Sequence, residues 1–420
     1  MKSSKSLYVR DYNKSIALIQ LMFLTWGFIT VINGFLLNEL KPQLGLDAKD
    51  PIFGYLFFGA YFIMAFPAGY LIKKIGYKTG FFVGLIISAI SVLMIIPGAK
   101  ENNLTLIIIA VAIMGSGFTV LQVAGSPYVL LLGEPKDGPS RLSLAGAYNS
   151  FGTWIAPLIA ILVTNAEPIQ TAGVTLEEIA KQKAELVVLP YVLLATVFVG
   201  LAVLLHFSDL PLIKNSSQVD TNVENDNKKF ILQYPHVVLG ALAIFCYVGA
   251  EVGVFIFVKE EFIVEELGVT SLVGAVKWIV PFYWGGAMVG RFMGANILKE
   301  QSPTKILLLA SLAAGVLCMG AAISGGYGAL FAIVSIGLFN SIMWPVIFNL
   351  GIHGMGKHTE MASALLIMGI VGGVAIPWLI KWVSTEYGAM HYALFIPLIC
   401  YLFIAFYAVV GHKYRMKEVY

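Results

Sequence analysis

The sequence predicts an all-α membrane protein with twelve transmembrane helices arranged as two six-helix repeats. Three observations indicate this fold class. Hydrophobic residues make up 58% of the chain and charged residues only 12%, and the mean hydropathy is +0.83. Apolar stretches of about 20 residues, the length that crosses a bilayer core, recur along the chain. Residues of the first six stretches also recur at matching spacings in the second six.

The composition excludes several classes of function. The charged fraction is about half that of an average soluble protein, so the partner that it indicates is the lipid bilayer. The net charge is +3, and the basic residues are scattered rather than clustered with aromatics, which argues against a nucleic-acid partner. Cys246, Cys318 and Cys400 lie in apolar stretches without the spacing of a metal site or a disulfide framework, and we interpret them as core residues.

The apolar stretches divide the chain into two bundles. The first six lie at 15–40, 52–72, 80–98, 105–132, 143–165 and 186–206, and the second six at 236–258, 272–298, 304–323, 327–349, 360–380 and 389–411. The predicted regions are therefore an N-terminal tail (1–14), an N-terminal bundle (15–206), a linker (207–235), a C-terminal bundle (236–411) and a C-terminal tail (412–420).

The distribution of Lys and Arg predicts the orientation. These residues are more frequent in the two tails and the even-numbered connections than in the odd-numbered connections. Because basic residues mark the cytoplasmic side, we expect both termini in the cytoplasm and the protein in a bacterial-type inner membrane. The connection at 166–185 then falls outside, and its pattern predicts a short amphipathic helix.

Two sets of residues indicate that the bundles arose by duplication. At an offset of 218, an amide, a proline and a glycine recur: Gln122, Pro127 and Gly133 match Asn340, Pro345 and Gly351. At an offset of 220, a glycine and a proline recur: Gly152 and Pro157 match Gly372 and Pro377. Parallel repeats of this kind place a substrate site near the bilayer midplane, between the two halves.

The short loop after the second span contains Gly69, Lys74 and Gly76. It resembles the Gly-x-x-x-Asp-Arg/Lys-x-Gly-Arg/Lys signature of the major facilitator superfamily, with Lys73 where Asp is usual. Arg291, within GRFMG at 290–294, is the weaker counterpart in the second half. We predict that these four residues, Gly69, Lys74, Gly76 and Arg291, belong to gating loops. The alternative is a tight two-glycine turn with lysines on the cytoplasmic side.

Further segments resemble the fucose, galactose and glucose symporter family of that superfamily, closest to its glucose/galactose branch. They are WGFITVINGFLL (26–37), LQVAGSPYVLLLGEP (121–135), RLSLAGAYNSFG (141–152), FCYVGAEV (245–252) and PVIFNLGI (345–352). The resemblance implies the major facilitator fold and uptake of a monosaccharide, a hexose such as glucose, galactose or mannose, usually driven by a cation gradient. The chain departs from the proton-coupled fucose members at Gly34 and Gln122, where those members have acidic residues, and at Gly146, where they have a glutamine.

Sugar recognition requires amides or carboxylates for the hydroxyl groups and an aromatic face for the ring. Candidates of this kind line up on predicted helices 1, 4, 5 and 10, as Trp26, Asn33, Gln122, Asn149 and Asn340. Each amide could instead hold two helices together, a common use in membrane proteins. Trp344 and Tyr128, near the inner ends of helices 10 and 4, could line the pocket or act as interfacial anchors.

Glu251 is the one carboxylate well inside a predicted span. An intramembrane acid is costly and usually marks an ion or substrate pathway. An offset of 221 places it opposite Thr30, so we expect it to face the central cavity, bind sugar hydroxyls and couple transport to H⁺ or Na⁺. The alternative is a structural ion pair, for which Lys277 is the candidate partner.

Other functions have weaker support in the sequence. The histidines lack the spacing of a metal site, so we expect no cofactor. GSGFT at 115–119 lacks the Lys and Ser/Thr of a phosphate loop, so we do not expect ATP hydrolysis to drive the protein. No acidic or histidine cluster suits a membrane enzyme. A facilitated uniporter and a sugar receptor that does not transport are the alternatives to a symporter, and we expect a monomer.

Overall fold

The computed structural model describes residues 13–47, 50–165, 175–211, 213, 230–257, 280–387 and 390–413. Helices account for nearly all of these residues, and no strand occurs among them. Lys277, the first part of predicted helix 8 and most of the linker lie outside the described residues.

The N-terminal half contains six helices, which we number α1 to α6. They are α1 (Asn13–Leu40), α2 (Ile52–Ile75), α3 (Tyr77–Lys100), α4 (Leu104–Leu131), α5 (Gly138–Asn165) and α6 (Leu176–Phe207). α6 begins with a capping box. The Thr175 hydroxyl accepts a hydrogen bond from the Glu178 backbone N–H, and the Glu178 carboxylate accepts one from the Thr175 backbone N–H. The expected separate amphipathic helix is therefore wrong for residues 176–185, which form the first turns of α6.

The C-terminal half contains α7 to α12, and several of these helices are interrupted. They are α7 (Pro235–Phe257), α8 (a π-helical turn at Val280–Trp284, then Gly285–Glu300), α9 (Pro303–Ser324), α10 (Gly326–Asn340 and Met343–Ile352), α11 (Thr359–Met368, a 3₁₀ turn at Gly369–Val371, and Gly372–Tyr387) and α12 (a 3₁₀ turn at Met390–Leu394, then Phe395–Val409). The breaks in α10 and α11 lie in the half that also carries the buried charges described below.

The helices suit a membrane. Within the described residues, ten helical stretches are long and apolar enough to cross a bilayer. Large apolar side chains such as Ile63 and Val316 are more than 70% exposed, as expected where lipid replaces water. The twelve-helix membrane fold predicted from the sequence is confirmed.

The predicted duplication is visible in the packing. A Cβ added to Gly152 of α5 would lie 2.2 Å from the backbone oxygen of Leu24 in α1, and one added to Gly372 of α11 would lie 2.0 Å from that of Phe245 in α7. Only glycine allows two helices to approach this closely. The pairs α1–α5 and α7–α11 therefore repeat the same contact, and the two-repeat prediction is confirmed.

The two halves are held together at the end of the molecule that carries both described ends of the chain. Ser363 of α11 donates to the Val123 carbonyl of α4 (2.9 Å), and Ser143 of α5 donates to the Arg291 carbonyl of α8 (2.9 Å). Ser140 of α5 donates to the Ala295 carbonyl of α8. We call this the closed end, because at the opposite end the halves are separated by a cavity.

Candidate functional site

A cavity of about 210 Å³ lies between the two halves near the middle of the helices. Its polar and aromatic lining residues are Trp26, Thr30, Tyr61, Gln122, Ser126, Asn149, Thr153, Tyr247, Glu251, Trp284, Arg291 and Trp344. This central cavity combines hydrogen-bonding groups with aromatic faces and one pair of opposite charges, the mixture typical of a site for a small polar ligand.

The structure brings four of the six predicted binding residues to this cavity. Trp26, Gln122, Asn149 and Glu251 line it. Asn33 lines a second cavity, which lies between the central cavity and the end opposite the closed end. Its side-chain oxygen accepts a hydrogen bond from the Tyr191 hydroxyl (3.1 Å). Asn340 is fully buried and does not line either cavity. The structure therefore brings four of the predicted residues together and places Asn33 and Asn340 outside the central cavity.

The two repeat-related amides make equivalent bonds in different surroundings. Gln122 of α4 donates to the Tyr61 hydroxyl of α2 (3.0 Å), and Asn340 of α10 donates to the Tyr283 hydroxyl of α8 (3.2 Å). Both members of the first pair line the central cavity, whereas the second pair is sealed within the C-terminal half. Gln122 is thus available to a ligand, while Asn340 stabilises helix packing.

Asn149 and Trp26 join α1 to the wall of the cavity. The Asn149 amide donates to the Phe23 carbonyl of α1 (3.0 Å). Trp26 packs with its ring centre 5.4 Å from that of Phe23 and 6.0 Å from that of Phe118, and it is 7% exposed. The packing fixes the indole plane, and the exposed remainder faces the cavity.

Trp344 and Tyr128 prove to have different positions. Trp344 stacks on Phe348, with ring centres 5.8 Å apart, and lines the central cavity. Tyr128 is fully buried, and its hydroxyl donates to the Pro211 carbonyl after α6 (3.1 Å). Trp344 therefore belongs to the pocket, and Tyr128 holds α4 against the segment that follows α6.

Glu251 lies in a compact polar cluster. Tyr247, one turn earlier on α7, donates to the Glu251 carboxylate (2.7 Å), and Arg291 of α8 lies 3.7 Å from the same oxygen. Arg291 also donates to the Tyr247 hydroxyl (3.2 Å), and the Tyr283 hydroxyl donates to the Glu251 backbone carbonyl (2.7 Å). The carboxylate and the guanidinium are both about nine-tenths buried, so each provides most of the other's charge compensation.

Arg291 also connects the two halves. One terminal nitrogen donates to the Gly146 carbonyl (3.1 Å) and the Ser150 hydroxyl (2.6 Å) of α5. The Nε group donates to the Ser341 carbonyl at the break in α10 (3.1 Å). A single guanidinium therefore contacts α5 of one half and α7 and α10 of the other.

This arrangement corrects one expectation and bears on another. Arg291 does not lie in a gating loop, because α8 runs without interruption from Gly285 to Glu300 and buries Arg291 beside the central cavity. In the described part of the chain the partner of Glu251 is Arg291, and Lys277, the candidate named from the sequence, lies outside that part. The prediction rested on GRFMG (290–294) as the counterpart of the loop signature in the first half, and the structure places this motif within a helix.

The remaining predicted gate residues lie at the closed end. Gly76 forms the turn between α2 and α3 with φ of +81°, a conformation that favours glycine. A Cβ on Gly69 would lie 2.7 Å from Cβ of Ala364 in α11, so Gly69 lies directly at the junction of the halves. Next to this contact, Tyr77 donates to the buried Glu360 carboxylate of α11 (3.2 Å). Lys74 is exposed.

A second cavity, of about 350 Å³, lies between the central cavity and the end opposite the closed end. Thr30, Phe57 and Phe58 line both cavities, so the two adjoin. Asn33, Gly34, Asn38 and the far end of α11 form the outer walls. In the described residues no group of three or more His, Cys, Asp or Glu side chains could hold a metal ion.

Sequence reasoning missed several residues of the site. Tyr247 follows from the repeat, because the offset of 221 that pairs Glu251 with Thr30 also pairs Tyr247 with Trp26. Tyr61 and Tyr283 carry no such local signal, because buried tyrosines in membrane helices have many uses. Their roles depend on helix pairing, which the structure supplies.

Comparisons with known proteins extend over nearly the whole chain. The family profile described as Major Facilitator Superfamily matches residues 16–377. A glucose/galactose transporter of Brucella abortus is 38% identical over 411 residues, which cover 96% of this chain and 95% of the relative. The L-fucose-proton symporter of Escherichia coli is 30% identical over 414 residues, covering 95% and 93%. The crystal structure of the transporter FucP in the outward conformation matches with a TM-score of 0.85 and 28% identity, covering 95% of this chain and 99% of that chain.

Proposed function

The chain belongs to the fucose, galactose and glucose symporter family of the Major Facilitator Superfamily, and on that premise we propose that it carries a monosaccharide across the membrane together with a proton. Glucose and galactose are the first candidate substrates, because the Brucella abortus relative is named as their transporter, and mannose is a further candidate. The observation that carries the proposal is a central cavity in which sugar-binding groups meet a buried carboxylate.

The neutral wall of the cavity would bind the sugar. Gln122 and Asn149 each have amide atoms beyond the single bond that they make to protein, and these can bind adjacent hydroxyl groups of a pyranose. Trp26 and Trp344 offer apolar faces to the C–H surface of the ring. Asn33 and Asn340 would act on the site indirectly, through helix packing.

Glu251 would carry the coupling proton. When it is ionised, its carboxylate only accepts hydrogen bonds, and its charge balances Arg291. When it is protonated, it gains an O–H group that can donate a hydrogen bond to a sugar hydroxyl. It also loses the negative charge that attracts Arg291. Because Arg291 also contacts α5, the protonation state of Glu251 affects the contact between the two halves. Proton binding, sugar binding and the arrangement of the halves are thus linked through one cluster.

The same geometry favours H⁺ over Na⁺ as the coupling ion. A sodium ion needs several oxygen ligands, and any position on Glu251 Oε1 would place it close to the Arg291 guanidinium, 3.7 Å from that oxygen. A proton needs no such coordination shell. Facilitated uniport is the second candidate, because Gly34 and Gln122 stand where the fucose members carry acidic residues.

We place the protein in the inner membrane with both termini in the cytoplasm, as the positive-inside distribution predicts. The closed end then faces the cytoplasm, and the outer cavity opens to the outside. Gly69, Lys74 and Gly76 would separate from α11 when the carrier opens inward, in the rocking motion typical of such folds. The protein would work as a monomer.

The decisive experiment is uptake of radiolabelled glucose into proteoliposomes that contain the purified protein. Accumulation above equilibrium under an inward proton gradient, but not under a sodium gradient, is the expected result. Equilibration under every gradient would establish uniport instead. Sugar binding without counterflow would identify a receptor and refute transport. Galactose, mannose and fucose as unlabelled competitors would rank the substrates.

A further inference from the structure

A third cavity, of about 270 Å³, lies on the flank of the molecule, apart from the transport pathway. Ile16 and Ile19 of α1, Leu144 of α5 and Phe292 of α8 contribute apolar walls. It lies near the closed end, beside the Ser140–Ala295 bond that joins α5 to α8. Phe292 is 39% exposed on a membrane-spanning helix, so this wall of the flank cavity reaches the surface of the molecule.

The polar part of the flank cavity is positively charged. Arg141 and Lys299 line it, and the described lining residues include no Asp or Glu. Arg141 is held in place by its bonds to the carbonyls of Val129, Leu130 and Glu134. Lys299 is exposed in the last turn of α8 and has no ion-pair partner among the described residues.

We propose that the flank cavity binds an anionic phospholipid, with the headgroup phosphate at Lys299 and Arg141 and an acyl chain along the apolar walls. The two cations lie at the level where helices end and headgroups begin, and basic pockets between membrane helices suit anionic headgroups. A water-soluble anion would find the same charges but would gain nothing from Ile16, Ile19, Leu144 and Phe292. The combination of apolar walls with a lining that carries two cations and no carboxylate therefore favours a lipid.

The bound lipid would affect the transport cycle. The walls of the cavity come from α1 and α5 of one half and α8 of the other, at the end where the halves are packed. A ligand that contacts both halves only in this arrangement stabilises it relative to the arrangement that opens the closed end. We expect anionic lipid to favour the form described here.

The test is a titration of the full-length protein in neutral detergent with phosphatidylglycerol or phosphatidylcholine. The Tm of the protein is measured at each lipid concentration. Phosphatidylglycerol should raise Tm at lower concentrations than phosphatidylcholine. Lys299→Gln should weaken the apparent affinity for phosphatidylglycerol about fivefold. Lys305→Gln is the matched control, because Lys305 is an exposed lysine near the start of the next helix, at the same end of the molecule, and does not line the cavity. It should leave the affinity unchanged.

Three results of the titration would overturn the proposal. Equal stabilisation by the two lipids would show that the charge is irrelevant, and equal loss in both lysine variants would show only general attraction to the surface. Stabilisation by inorganic phosphate alone, to the same extent as by lipid, would identify a free-anion site. Native mass spectrometry adds a direct readout: we expect retained phosphatidylglycerol on the monomer, and a lipid-free dimer would mean that a second copy covers this flank.

Discussion

The two halves of the protein repeat each other's packing but not each other's charges. The glycine contacts of Gly152 and Gly372 are equivalent, and so are the hydrogen bonds of Gln122 and Asn340 to tyrosines. Yet the N-terminal half contributes only neutral groups to the described lining of the central cavity, whereas the C-terminal half contributes both an acid and a guanidinium.

The difference indicates how a duplicated scaffold can divide its work. Helix contacts such as those of Gly152 and Gly372 are the same in both halves, because in each an added Cβ would clash with the backbone of the neighbouring helix. The charged side chains on the cavity wall have no counterparts in the other half, so these positions differ between the repeats. Under the proposed function, the amides of the N-terminal wall would bind the sugar beside Trp344, and Glu251 of the C-terminal wall would carry the proton.

Glu251→Gln should produce the largest functional effect. Glutamine keeps the shape of the protonated side chain but cannot release a proton, so accumulation under a proton gradient should fall to equilibrium while sugar counterflow continues. The measurement is uptake and counterflow in proteoliposomes. Glu386→Gln, at an exposed site near the end of α11, is the control and should accumulate sugar normally. Gradient-driven accumulation by Glu251→Gln would remove Glu251 from the coupling mechanism.

Arg291→Gln should have the largest effect on stability. It leaves the Glu251 carboxylate buried without its counter-charge and removes the bonds to α5 and α10, a change that costs about 3–5 kcal/mol of unfolding free energy. The double variant with Glu251→Gln removes both charges and should be more stable than Arg291→Gln alone. A denaturation cycle over the four proteins measures the coupling, and strictly additive losses would show that the two charges do not interact.

Alanine substitutions at the glycine contacts test whether the two halves lose the same stability when their helices are pushed apart. Alanine at Gly152 or at Gly372 would force a Cβ into a backbone carbonyl of the neighbouring helix, and each substitution should cost about 1–3 kcal/mol. Gly200→Ala, where nothing lies within 4 Å of the added Cβ, should be neutral or slightly stabilising. Tm in detergent would compare the three variants, and a loss confined to one half would contradict the equivalence of the two contacts.

Substitutions of the repeat-related amides Gln122 and Asn340 should distinguish an effect on sugar binding from an effect on helix packing. Gln122→Ala should raise KM for the sugar about tenfold with a small change in Tm, because Gln122 lines the cavity. Asn340→Ala should lower stability by about 1–2 kcal/mol with little change in KM, because Asn340 is sealed from the cavity. Transport kinetics and Tm for both variants provide the comparison. The opposite result would mean that Asn340, rather than Gln122, recognises the sugar.

The sequence predicted the membrane fold and the repeat because both depend on composition and spacing, which a single chain displays. It also located Glu251, because an acid within an apolar span is conspicuous. It misjudged Arg291 because GRFMG was taken as the counterpart of the loop signature in the first half, and only helix packing shows that Arg291 lies inside α8 against α5, α7 and α10. The sequence could not show that Asn33 and Asn340 lie outside the central cavity. Asn33 accepts a hydrogen bond from Tyr191, and Asn340 donates one to Tyr283, and both tyrosines come from other helices.

The smallest predicted effect concerns the contact between the halves at the closed end. Tyr77→Phe removes the bond to the buried Glu360 carboxylate, which is worth about 0.5–1.5 kcal/mol, so local opening at the start of α11 should become about two- to tenfold more frequent. Amide hydrogen exchange of residues 359–368 would measure this change. Tyr70→Phe, at an exposed position on α2, removes the same hydroxyl from a site without that contact and should leave the exchange rates unchanged. Equal rates in both variants would mean that the halves are held at this end by the Gly69 and serine contacts, with no contribution from Tyr77.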